Sequence, residues 1–248
     1  MAVNQKIVAR SAGLSFTVGF VFCFASHACQ AGLLSLQLSP PVISSANGSL
    51  SYNAISDVFH SETIPALISD PSLPGGTGSF IGAGNQMTID LLVDHNGSFV
   101  SSGTGFTMMG NVDLDNDGTA DASGLLLSGT IIAFGADAAG PPSVAFDGLF
   151  AIQGGALTHD ISLSGGGTLF GGFPLGRTGG FSLAAEDVVS GILGNFAANF
   201  ASSSVEGNAG LLPVPEPSSF VLGMTPFVGF GLMAVRRRKQ RRQQTVSA

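Results

Sequence analysis

The sequence predicts a mainly β protein, either a Gly-rich β-sandwich or an open barrel, with one or two short helices. Two observations lead to this prediction. Glycine accounts for 36 of the 248 residues and separates short apolar or β-branched runs, as in folds made of many short strands joined by turns. Asn96-Gly97 also stands between two strand-like runs within residues 86–100, and this dipeptide is the strongest short-range signal for a β-hairpin.

Strands are expected wherever apolar and polar residues alternate. Residues 33–39, LLSLQLS, place Leu34, Leu36 and Leu38 on one face of an extended chain and polar residues on the other. Further strand-like runs follow at residues 105–114, 124–135, 142–152, 159–165 and 167–173.

Two segments interrupt this pattern and are predicted to be helical. One lies near residues 54–68. The other, residues 183–200, repeats its apolar side chains with a helical period, at Ala185, Val188, Val189, Ile192, Leu193, Phe196 and Phe200. The small residues of 201–212 predict a linker, so a β-rich passenger domain is assigned to residues 32–200.

Charge is distributed very unevenly along the chain. Between Gly32 and Leu212 there are fifteen acidic residues and a single basic one, Arg177, which gives a net charge of about −14. Nucleic-acid binding needs Lys and Arg to replace counterions on phosphates, so this charge excludes it. A surface of this sign attracts cations instead.

The first 31 residues are predicted to be a secretory signal peptide. Lys6 and Arg10 form a basic region, and residues 12–25 form an apolar signal helix too short to span a bilayer comfortably. Small residues then allow cleavage after Ala31, the preferred site, or after Ala28. Both cysteines precede Gly32, so the exported chain would contain no disulfide.

The C-terminal region combines a turn, a short apolar segment and a basic cluster. Residues 220–235 predict a transmembrane helix of roughly 24 Å, shorter than the roughly 30 Å hydrocarbon core of a bilayer. Pro226 and several glycines weaken this helix further. Basic residues that favour the cytoplasmic side follow it, at Arg236, Arg237, Arg238, Lys239, Arg241 and Arg242.

Together, Pro215-Glu216-Pro217, the apolar segment and the basic cluster resemble a PEP-CTERM sorting domain over residues 213–242. The resemblance implies export by the general secretion machinery, a transient inner-membrane intermediate, and cleavage near Pro-Glu-Pro by an exosortase. It also implies a Gram-negative-type cell with an exopolysaccharide or biofilm matrix, and a final location at the cell surface or in that matrix. An ordinary single-pass anchor is the alternative.

One loop of the passenger has the pattern of a cation site. Asp113, Asp115, Asp117 and Asp121 are spaced so that their carboxylates can converge, while Gly118 allows a sharp bend. Such oxygen-rich loops bind Ca²⁺, and this one resembles the first half of an EF-hand or dockerin-like loop. Gly124 stands where an EF-hand has its bidentate Glu, so the resemblance fails there. A solvated acidic turn is the alternative.

Other chemistry is sparse, so the passenger is predicted not to be an enzyme. His60, His95 and His159 lack metal-ligand spacing and are expected at the surface or in turns. A structural or adhesive role is therefore the leading functional prediction. A carbohydrate-binding module that recognises exopolysaccharide is the alternative, although residues 32–213 contain no Trp and Tyr52 is their single Tyr. An ice-binding protein or a secreted enzyme is less favoured.

Overall fold

The computed structural model describes residues 32–137, 143–164, 168–170 and 172–213, and these residues form a mainly β structure. The strands are β1 (Ser39–Asn53), β2 (Val58–Ser69), β3 (Thr77–Phe80), β4 (Gln86–Val93), β5 (Phe99–Asp113), β6 (Ala122–Ala136), β7 (Val144–Gly154), β8 (Ile161–Ser162), β9 (Thr168–Phe170), β10 (Thr178–Ser190) and β11 (Phe200–Leu211). Two 3₁₀ turns, Pro74–Gly76 and Ala156–Thr158, are the helical elements of the described residues, and no helix among them is long and apolar enough to cross a membrane.

Nine of the strands form one large antiparallel sheet. Neighbours in this sheet are mostly neighbours in sequence, and the short β3 lies between β2 and β5 in line with β4. The last strand, β11, pairs with both β10 and β1, and β1 pairs with β2. The eight long strands therefore form a closed cycle in which each has a partner on both sides. The mainly β fold is confirmed, and the sheet is consistent with the predicted class.

The interior of the sheet is filled by aromatic and aliphatic side chains. The strand predicted before Asn96-Gly97 is confirmed as β4, in which Met87, Ile89, Leu91 and Val93 are buried and the residues between them are not. The core is rich in phenylalanine, and Phe106 and Phe150 stack with their ring centroids 4.1 Å apart. The largest fully buried rings belong to Phe59, Phe106, Phe146, Phe150, Phe173, Phe181 and Phe200.

The buried Tyr52 connects the β1–β2 hairpin to the β4–β5 hairpin. The Tyr52 hydroxyl donates to the Val93 carbonyl at 2.9 Å, and the ring packs against Phe196 and Phe200. Burial, assisted by the negative charge of Asp57, raises the pKa of Tyr52 to about 12. The hydroxyl therefore remains a donor throughout the neutral range.

The Asn96-Gly97 hairpin is confirmed. β4 and β5 pair antiparallel on either side of it, and Gly97 has a φ of 82°, which glycine adopts without strain. The Asp94 carboxylate accepts the N–H groups of Asn96 and Ser98 and so closes the turn.

Both predicted helices are wrong. Most of residues 54–68 form a turn and β2, and residues 183–200 contain the second half of β10, a loop and the first residue of β11. Strand pairing overrides the local pattern because β2 completes its ladders with β1 and β4, and β10 with β7 and β11. The apolar spacing after Ser190 reflects a loop whose Leu193 and Phe196 are buried against the end of the core.

Two further predictions need correction. The predicted linker at 201–212 forms β11 almost throughout, so the β domain extends to Leu211. The segment 33–38, predicted to be a strand, joins no ladder, and β1 begins at Ser39. It runs instead across the outer surface of the sheet, where the backbone N–H of Leu34 reaches the Asp147 carboxylate at 2.9 Å.

Candidate metal site

The predicted cation loop lies in the turn between β5 and β6. Asp113 is the last residue of β5 and is 2% exposed, whereas Asp117 is exposed. The chain turns at Asn116 and Gly118, which have φ values of 60° and 92°. These left-handed positions explain why the loop needs Asn and Gly, the two residues that adopt this region most readily.

Three of the four predicted ligands are brought together. One carboxylate oxygen from each of Asp113, Asp115 and Asp117 lies within 4.8 Å of the other two. Ca²⁺ binds oxygens at about 2.3–2.6 Å, so oxygens on one ion lie up to roughly 5 Å apart. The spacing of the group therefore fits a calcium ion.

The fourth predicted ligand, Asp121, has another role. Its Oδ2 accepts the N–H of Leu114 at 2.7 Å, and its Oδ1 accepts the N–H of Ser164 at the same distance. Asp121 thus fastens the loop to the segment after β8, while Asp113, Asp115 and Asp117 form the converging group. Sequence spacing alone did not distinguish the two roles.

The loop is braced by hydrogen bonds from several sides. Asp113 accepts the N–H of Gly118 at 2.7 Å. The Asn116 amide bridges to β3, because it accepts from the Ser79 hydroxyl and donates to the Thr77 carbonyl, both at 2.7 Å. The backbone of the loop is therefore held in place by the protein itself.

Hydrogen-bond donors favour the ionised form of the Asp117 side chain. The Thr119 N–H, at 2.7 Å, and the Ser164 hydroxyl, at 2.8 Å, lower the pKa of this exposed carboxyl below its ordinary value. An ionised carboxylate beside two others is the donor set that a hard cation prefers.

A second charged cluster on the outer face of the sheet was missed by sequence reasoning. His60 on β2 pairs across the ladder with Asp90 on β4, and its Nδ1 lies 2.5 Å from the Asp90 Oδ1. The other ring nitrogen lies 3.3 Å from a carboxylate oxygen of Glu62. The Glu62 partner could be found from spacing, since residues two apart on a strand share a face. The Asp90 partner required the strand pairing. His95 and His159 are exposed, as predicted.

A polar groove borders this cluster. It has a volume of about 540 Å³ and lies where β1, β2, the segment before β4 and β11 approach one another. Its lining includes Asn47, Ser49, Glu62, Gln86 and Ser203, together with the half-exposed side chain of Ile64. Amides, hydroxyls and one carboxylate thus surround an open space.

The remaining predicted site residues lie outside the described residues. These are Pro215, Glu216 and Pro217 of the sorting motif and the basic residues Arg236, Arg237, Arg238, Lys239, Arg241 and Arg242, together with the predicted signal and transmembrane helices.

Comparisons with known proteins found no match. No family model, no curated protein and no solved structure matches this chain.

Proposed function

We propose that this chain is an exported bacterial protein of the cell surface or extracellular matrix, sorted by the PEP-CTERM route, whose passenger has a structural or adhesive role. The main observation in support is that the closed sheet is complete between Ser39 and Leu211. Removal of the predicted signal peptide (1–31) and sorting domain (213–242) would leave every strand pairing of the described residues in place. This arrangement is what removable sorting signals require.

The charge of the passenger supports an extracellular role. A net charge of about −14 keeps the domain soluble and repels other polyanions. Without a disulfide, its stability rests on the Phe-rich core and the closed hydrogen-bond ladder. In this proposal the partners of the protein are the secretion machinery, an exosortase and, transiently, the inner membrane.

We also propose that Ca²⁺ binds the loop between β5 and β6. Asp113, Asp115 and Asp117 would hold the ion, and Asp121 would position the loop. The ion would relieve the repulsion among three carboxylates that lie within a few ångströms of one another. Its role would be to stabilise the domain.

The polar groove favours a second candidate, a carbohydrate-binding function. Asn47, Gln86 and Ser203 line the groove, and their side chains make no hydrogen bond to another residue of the described part of the chain, so they are available to sugar hydroxyls. No aromatic platform accompanies them in the described part of the chain, where Tyr52 is buried.

The groove is tested by adding neutral oligosaccharides and measuring the changes in the NMR chemical shifts of the protein. Gln86→Ala should reduce these changes, whereas the control Gln153→Ala on β7 should not. If both variants reduce the chemical-shift changes equally, or if the oligosaccharides cause none, the groove is not a carbohydrate-binding site.

The sorting proposal is tested by the intact mass of the exported protein in cells that carry an exosortase. A variant with Pro215→Ala and Pro217→Ala should remain unprocessed at its C-terminus and stay in the inner membrane. The matched control replaces Pro71 and Pro74, two prolines of the passenger, and should be processed normally. Normal processing of the sorting-motif variant would remove the basis of the proposal.

A further inference from the structure

The polar groove lies between two β-bulges, one on each side of β1. On the β2 side, Asn47 and Gly48 together oppose Thr63 in the ladder. On the β11 side, two residues that include Ser203 oppose Ser49. Bulges bend a strand and redirect its side chains, and they are over-represented next to active sites. The groove thus lies where two adjacent ladders are interrupted together.

The bulge in β1 depends on residues that allow its backbone. Asn47 has a φ of 52°, in the left-handed region that Asn adopts more readily than most residues. A Cβ at Gly48 would lie 2.4 Å from the carbonyl oxygen of Glu62, closer than real Cβ atoms approach. This wall of the groove therefore depends on glycine at position 48, and the Asn47 side chain lines the groove beside it.

Another wall of the groove is fixed by Asn85. Its amide nitrogen donates to the carbonyls of Ile81 and Gly82, at 3.2 and 3.3 Å, and its Oδ1 accepts the N–H of Asn111 at 2.9 Å. These hydrogen bonds fasten the segment before β4 to β5. The groove is therefore formed in the absence of a ligand, which lowers the conformational cost of binding.

Among the described residues, Glu62 supplies the one carboxylate that lines the groove. Its side chain is 44% exposed, and its Oε1 lies 3.3 Å from the Nε2 of His60. His60 is shared with Asp90, so two carboxylates surround one imidazole and leave an excess of negative charge whether or not the ring is protonated. Arg177, the single Lys or Arg between Gly32 and Leu212, precedes β10, which β11 separates from β1. The groove therefore has an uncompensated negative charge.

We propose that the groove selects sugars that carry a protonated amine, and that Glu62 binds this amine. An ammonium group donates three hydrogen bonds, and hydrogen bonds between ionised partners are shorter and stronger than those between neutral groups. Asn47, Gln86 and Ser203 then bind the hydroxyls that neutral and amino sugars share. This inference rests on the carbohydrate-binding function proposed above and names its substrate class.

The same charge disfavours acidic sugars. A uronate against Glu62 would bring two like charges together on a domain whose net charge is already about −14. Because Glu62 is partly exposed, water and salt screen its attraction for an amine, and the expected gain is roughly three- to fivefold in affinity. Amino sugars should therefore bind more tightly than neutral sugars, and acidic sugars should bind least tightly.

The test compares glucosamine oligomers with N-acetylglucosamine oligomers of equal length. Each is titrated into the purified full-length protein at fixed ionic strength and at a pH where the free amine is protonated, and changes in NMR chemical shifts give the Kd. The parent should bind the glucosamine oligomer roughly three to five times more tightly. Glu62→Gln should lose this preference. Its affinity for the N-acetylated oligomer should remain that of the parent, which also shows that the variant is folded.

Two controls separate the groove from the general charge of the domain. Asp160→Asn removes one negative charge at an exposed position before β8 and should keep the preference of the parent. Trilysine carries protonated amines without a sugar and should not reproduce the chemical-shift changes of the groove residues.

Equal affinities of the parent for the two oligomers, or a preference that survives Glu62→Gln, would overturn the selection of amino sugars. The same conclusion follows if Asp160→Asn loses the preference as fully as Glu62→Gln, or if trilysine changes the same groove signals. In these cases binding of neutral oligosaccharides and its dependence on Gln86 still support the carbohydrate-binding function. If neither oligomer binds, that function and this inference both fail, whereas export and processing are unaffected.

Discussion

At the scale of single residues, Asp147 on β7 is a buried carboxylate with a shifted pKa. Burial raises the pKa of its carboxyl, and the backbone N–H groups of Leu34, Ser35 and Leu36 oppose that shift without cancelling it. The protonated form is therefore favoured more strongly in the folded protein than in the unfolded chain, although the carboxylate accepts hydrogen bonds from the segment 34–36.

This raised pKa predicts the sign of a pH effect. A raised folded-state pKa contributes stability that is fully present below the unfolded value of 3.8 and is lost as the pH rises through the folded value. We expect the free energy of unfolding of the parent, relative to Asp147→Asn, to fall as the pH rises from below 3.8 towards neutrality. Denaturant unfolding at a series of pH values measures this difference. If the difference in unfolding free energy between the parent and Asp147→Asn is constant or rises with pH, the pKa of Asp147 is not raised.

At the scale of single elements, the loop between β5 and β6 makes the sharpest prediction. If Ca²⁺ binds with the weak affinity of extracellular modules, about 10⁻⁴–10⁻³ M, a tenfold excess over Kd stabilises the fold by roughly 1.4 kcal/mol. For a domain of this size the melting temperature should rise by roughly 3–6 °C. Thermal unfolding with and without Ca²⁺ at fixed ionic strength measures the shift.

The matched control for this loop removes the same number of charges elsewhere. Asp115→Ala with Asp117→Ala should abolish the calcium-specific rise, whereas Asp160→Ala with Glu206→Ala, two exposed positions, should keep it. Mg²⁺ at the same concentration reports general screening of the acidic surface. If Mg²⁺ gives the same rise, or the loop variant keeps it, the loop is an acidic turn and nothing more.

The elements also show what the sequence could and could not predict. The Asn96-Gly97 hairpin was predictable because its signal is local and its conformation depends on four or five residues. The helical spacing in 183–200 was misleading because it combined residues of two different elements. Ala185 on β10 is buried, Val188 and Val189 on the same strand are exposed, and the buried Leu193 and Phe196 belong to the following loop. The strand predicted at residues 33–39 was wrong for 33–38, because this segment is held by Asp147, which lies 113 residues from Leu34.

Like the fold, the candidate metal site was predictable where it depends on neighbouring residues and not where it depends on distant ones. Asp113, Asp115 and Asp117 converge because neighbouring loop residues are forced together by the bend. The separate role of Asp121 depends on Ser164, 43 residues later, which no local pattern indicates. The pair of His60 and Asp90 was missed for the same reason, since it depends on the register of β2 with β4.

At the scale of the whole molecule, closure of the sheet is the organising feature. The pairing of β1 with β11 joins strands from the two ends of the domain, and both predicted processing sites lie beyond these strands in the sequence. Under the proposed sorting route, removal of both terminal segments would leave the strands of the described residues paired. This consequence of the fold links the structure to the proposed sorting route.

The most direct test of this account is the intact mass of the protein recovered from outside cells that carry an exosortase. The account predicts a chain that begins at Gly32 and ends close to Pro217, with residues 1–31 and the apolar and basic segments absent. A full-length chain retained in the inner membrane of those cells would contradict it.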